Sequence, residues 1–127
     1  MAGETLPISV QQFLSKYIRS LEQLEVLLLL RNSPNRSWTS AEVYEVVRSS
    51  RSSVEERLES FVQLGFLAKE NGPPATFRYA PTENLGAAVD ETAGAYQKWR
   101  VRVIEAIFTP VVDPAQRFAD AFKVRKD

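Results

Sequence analysis

The sequence predicts a mainly α chain with a small β component, α+β in class, and three observations carry that prediction. Thr39 with Glu42, and Ser52 with Glu55, are two capping boxes thirteen residues apart, each opening a helical pattern. Gly65 follows Leu64 where a helix commonly ends in a left-handed residue. Beyond it, Phe66-Leu67 and Thr76-Phe77-Arg78-Tyr79 read as short strands, the second with clear alternation. Helix, tight turn, helix and β-hairpin is the order of a winged helix-turn-helix core. It is predicted over residues 37–81, with a two-stranded wing and long helices on either side.

The N-terminal segment, residues 8–32, places Val10, Phe13, Leu14, Tyr17, Ile18, Leu21, Leu24 and Leu28 at steps of three and four. That is one amphipathic helix, or two with a bend near Ser20, with Ser9 a candidate cap. Leu27 to Leu30 cover most of a turn, so that turn should be surrounded by protein. Pro34 disfavours helical geometry at Ser33 and ends the segment.

Trp38 and Val43 flank the first capping box at the spacing of a hydrophobic staple. The first core helix then runs over about Ser40 to Val47, and the turn over Arg48 to Arg51. The second core helix buries Val54, Leu58, Phe61 and Val62. Between the strands, Asn71-Gly72-Pro73-Pro74 predicts an exposed loop, because the prolines cannot donate to a ladder.

Residues 82–127 carry the C-terminal helices. Leu85, Val89, Tyr96, Val103 and Ile107 mark one face of a single helix over Glu83 to Phe108. A helix of about 25 residues is about 38 Å long, more than the winged core needs. Its face is therefore expected either to pair with a second copy of the chain or to fold back on the N-terminal helix. The dimer assignment takes Val89, Tyr96, Trp99, Val103 and Ile107 as interface. Pro110 ends the helix, and Asp113-Pro114 opens a short final one bearing Phe118, Ala119 and Phe122, before a charged end at Lys123–Asp127.

At 127 residues and 44% hydrophobic content, the chain suits one domain with extensions. It has no cysteine and no histidine, which removes disulfides, the common zinc sites and Cys- or His-based nucleophile systems. No glycine-rich phosphate loop or nucleophile elbow is present. Neither catalytic residues nor a metal or other cofactor is therefore expected, and the chain is read as a non-enzyme. The N-terminus lacks a basic region leading into a long apolar run, and Val26 to Leu30 is too short to span a bilayer. A cytoplasmic protein without membrane contact is the expectation. Net charge is zero, and the basic and acidic residues balance locally too: six of each fall in residues 32–81. Any basic surface must be assembled by folding.

The stretch SSVEERLESFVQLGFLAKE, with FRYAP beyond it, resembles the recognition helix and wing of bacterial winged helix-turn-helix regulators of the MarR-like families. The resemblance covers about residues 21–82. It implies a homodimeric transcriptional regulator whose second core helix enters the major groove of double-stranded DNA, with the wing on phosphate or minor groove. Carried onto this chain, the DNA-facing set is Arg48, Arg51, Ser52, Ser53, Glu56, Arg57, Ser60, Gln63 and Arg78, with Glu59 beside it. Gln63 can pair with adenine and a glutamate can accept from cytosine N4. The carboxylates at Glu55, Glu56 and Glu59 oppose the electrostatic attraction that dominates DNA affinity. A winged-helix module that binds a protein partner and no DNA is the alternative.

Overall fold

The computed structural model describes residues 6–108. Six helices and three short strands follow one another in the order α1 (Ile8–Tyr17), α2 (Leu21–Arg31), β1 (Ser37–Trp38), α3 (Ser40–Val47), α4 (Arg51–Leu64), β2 (Leu67–Glu70), β3 (Thr76–Tyr79), α5 (Glu83–Lys98) and α6 (Arg100–Phe108). The final helix expected at Asp113–Pro114, with Phe118, Ala119 and Phe122, and the charged end lie outside the described residues.

The N-terminal segment is two helices. Ile18 adopts an extended conformation, and Ser20 caps α2 by accepting from the Gln23 N–H at 3.2 Å. The Gln23 side chain closes the break by accepting from the Arg19 N–H. Ser9 is not the cap of α1: the helix begins one residue earlier, after Pro7, which offers no side-chain bond. Leu27, Leu28 and Leu30 are buried as their unbroken apolar run requires. α2 is the central post of the fold, packing on α3 and α4.

The first capping box forms in full. The Glu42 N–H donates to Thr39 Oγ1 at 3.1 Å, and the Thr39 N–H donates to Glu42 Oε1 at 3.0 Å. The staple residues Trp38 and Val43 are both buried beside it. The second box does not form. Arg48 takes a left-handed conformation (φ 61°, ψ 32°), which shortens the turn. α4 therefore starts at Arg51, capped by Ser50, whose Oγ accepts from the Ser53 N–H at 3.1 Å. Ser52 and Glu55 lie within the helix and not at its boundary, and the Glu55 carboxylate instead accepts from Ser40 Oγ at 3.5 Å. Gly65 ends α4 at φ 93°.

Phe66 is the centre of the core. Its ring meets Phe13, Tyr17 and Phe61 edge-on, at centroid distances of 5.9, 5.2 and 5.5 Å. Those edge-to-face contacts tie α1 and α4 to the residue that leads into the wing. The wing itself has one strand more than predicted. β1 pairs antiparallel with β3, giving a sheet of order β1-β3-β2, with Trp38 opposite Phe77 and Ser37 opposite Arg78. Two residues are too short a strand to show alternation in sequence.

The single helix predicted over Glu83–Phe108 is broken at Trp99, whose backbone (φ −132°, ψ 57°) leaves the helical region. The break lets both α5 and α6 lie against α1. Val89 and Val103 are fully buried and Ile107 nearly so within the single chain. These three assigned interface residues are core residues of the protomer, while Tyr96 and Trp99 are half-buried. The excess length is absorbed by folding back.

Candidate nucleic-acid interface

α4 inserts Val54, Leu58 and Phe61 into the core, so its opposite side is a ridge at Ser52, Glu56, Glu59 and Gln63, all exposed, with half-buried Ser60 beside it. The ridge spans about 16 Å at 1.5 Å per residue, the length of about five base-pair steps of 3.4 Å. The described residues leave it uncovered.

Cations collect at the N-terminal corner of this helix. Arg48 and Arg51 approach the Tyr44 ring, each with its guanidinium carbon 5.9 Å from the centroid. Arg48 pairs with Glu45 at 3.3 Å, but both side chains are more than 60% exposed, and such a pair is worth little against a competing phosphate. Arg51 is exposed. The partial positive charge of the helix N-terminus lies at the same corner. A third cation, Arg36, stacks on Trp38 with its guanidinium carbon 3.6 Å from the ring centroid.

The wing contributes differently from the expectation. The register places Arg78 with Ser37 and Ala68 on the outer face of the sheet, while Phe77, Trp38 and Lys69 share the inner one. Lys69, on that inner face, forms an ion pair with Glu59 of α4. The wing thus neutralises one carboxylate of the ridge, and Arg78 points away from it. Lys69 carries no motif; only the three-strand register reveals its direction.

Two further members of the expected set are already occupied. Glu22, in the first turn of α2, accepts hydrogen bonds from three residues of the helix-turn-helix: Ser49 Oγ, Ser53 Oγ at 2.6 Å and Arg57 Nε at 3.0 Å. Burial pushes the Glu22 carboxyl up, but the three donors and the Arg57 charge outweigh it, leaving its pKa below the ordinary 4.5. Ser53 and Arg57 are therefore directed to α2 and not to the ridge. No local pattern marks Glu22, because its partners lie 27 to 35 residues away.

Of the expected set, Arg48, Arg51, Ser52, Glu56, Ser60 and Gln63 stand together on or beside the ridge, whereas Ser53, Arg57 and Arg78 do not. Of the five carboxylates on α3 and α4, Glu42, Glu45, Glu55 and Glu59 each face a described partner. Glu56 is exposed and faces none among the described residues. The described residues hold no group of three or more His, Cys, Asp or Glu that could bind a metal, and no helix among them is long and apolar enough to cross a membrane.

No protein-family model matches the chain, and no curated protein sequence matches it. Solved structures do. Wild-type MarR from E. coli in its apo form aligns with a TM-score of 0.54 at 13% identity, over 94% of this chain and 85% of that one. YusO from Bacillus subtilis aligns with a TM-score of 0.54 at 14% identity, over 94% of this chain and 81% of that one. The reduced form of MarR from E. coli gives 0.52 at 16% identity, over 94% and 85%. At these identities the likeness is one of architecture. The chain has the MarR-like winged-helix fold.

Proposed function

We propose that the chain is a bacterial, cytoplasmic transcriptional regulator that binds double-stranded DNA through α4 as a homodimer. One observation carries this reading: an uncovered ridge of groove-compatible length has two arginines and a helix N-terminus at one corner. Arg48 and Arg51 contact phosphate, and Ser52 and Gln63 reach base edges. The dimer is supported by an apolar stripe on the outward side of α6. Val101 and Phe108 are 67% and 69% exposed, with half-buried Ile104 between them, and Ile8 of α1 is equally bare. A second copy of the chain covering this stripe removes it from water.

A second reading, a winged-helix adaptor that docks a basic protein, is favoured by Glu56 alone at the centre of the ridge. Binding of labelled duplexes at low salt, using DNA flanking the chain's own gene and a random duplex, separates the two. On the DNA reading the wild type binds, and Glu56→Gln binds as well or better because a repulsive charge is gone. Failure of the wild type to bind either duplex rejects the DNA reading in favour of the adaptor.

A further inference from the structure

We propose that Glu22 is a positioning residue of the DNA surface, clamping the N-terminal half of α4 to α2 and holding Arg57 away from the duplex. The inference rests on the DNA reading above and concerns how that surface is kept in shape.

The geometry is specific. One carboxylate, 15% exposed, collects the turn residue Ser49, the first-turn residue Ser53 and the second-turn residue Arg57. Ser53 and Arg57 are four apart and so lie one above the other on the side of α4 that faces α2. Two points one turn apart fix both the rotation of a helix about its axis and its tilt against its support. Packing of Val54, Leu58 and Phe61 turns the ridge outward, and the hydrogen-bonded carboxylate adds a directional constraint that narrows the rotation left to α4. Rotation of α4 would sweep Ser52, Glu56 and Gln63 across the bases they face. The same bond engages a guanidinium that would otherwise be drawn to phosphate regardless of sequence. Glu22 therefore trades non-specific attraction for a defined ridge.

The first test needs no DNA. In the wild type the Arg57 Nε–H should give a discrete, slowly exchanging NMR signal, which Glu22→Ala abolishes and Glu22→Gln partly retains. Absence of that signal in the wild type overturns the clamp whatever the chain binds. The second test uses duplexes. Glu22→Ala should lower the ratio of specific to random-duplex affinity by at least about tenfold. It should also steepen the dependence of affinity on salt by about 0.9 for each Arg57 released, because each makes a new phosphate contact. Glu22→Ala/Arg57→Ala should restore the wild-type slope without restoring the ratio. A merely destabilised helix would lose affinity with no steeper slope. An unchanged ratio and slope in Glu22→Ala would overturn the positioning role. Failure of the wild type to bind any duplex, with the Arg57 signal present, would instead reject the DNA reading and the role assigned here with it, leaving the bond as structure alone.

Discussion

Single residues divide into those whose role is written locally and those whose role is set by distant partners. Phe61 belongs to the first kind: its place in the helical stripe predicts burial, and the structure leaves it with no exposed surface against Phe66. Phe61→Ala should lower stability by about 3–5 kcal/mol, measured by denaturant unfolding at constant slope. Gly65 was equally legible, since only a left-handed residue closes α4 there. Glu22, Lys69 and Tyr79 belong to the second kind. The Tyr79 hydroxyl is buried with no hydrogen-bond partner among the described residues, and its pKa is pushed up to about 12 by burial and by the nearby Asp90 charge, against the opposing pull of Arg31. The unfolded chain ionises this phenol near 10, so the folded state binds the extra proton between about 10 and 12 and stability falls as pH rises through that window. Tyr79→Phe should flatten this alkaline decline in thermal unfolding and cause no loss at neutral pH, because it deletes an unpaired buried group. An unchanged alkaline limb would contradict the assignment.

Elements were legible wherever apolar spacing and caps agree. α3 begins and ends at the predicted residues, and α4 ends where Gly65 demands. The start of α4 differs from the sequence expectation because SRSS offers several serines as caps, and the left-handed Arg48 that selects Ser50 has no sequence signature. Ser50→Ala should therefore cost about 1 kcal/mol, while Ser52→Ala, an exposed helical position, should stay within about 0.5 kcal/mol. Equal effects in thermal unfolding would contradict the shorter turn. The break at Trp99 was invisible for a related reason. Tyr96, Trp99 and Val103 keep helical spacing across it, and no glycine or proline marks it. The break is defined by where α6 finds apolar cover on α1, which is a property of packing and not of the segment.

At the scale of the molecule, the sequence showed the order of elements and the excess of amphipathic helix, but not which side of that helix would remain bare. The buried side uses Val89, Val103 and Ile107; the bare side uses Val101, Ile104 and Phe108. If the proposed dimer forms, the wild type should sediment as a dimer at tens of micromolar and Val101→Asp/Phe108→Asp as a folded monomer, because a charge at a buried apolar contact is not repaid. A wild-type monomer under those conditions would contradict the dimer.

The central claim is that the Arg48 and Arg51 corner of α4 grips DNA phosphates, and the salt dependence of duplex affinity tests it most directly. Each phosphate contact contributes about 0.9 to the slope of log affinity against log salt. If both arginines of both protomers make such contacts, Arg48→Ala/Arg51→Ala should flatten the slope by about 3.6 per dimer and weaken specific and random duplexes alike. A slope unchanged by the double substitution, or a wild-type protein that binds no duplex at low salt, would contradict the account.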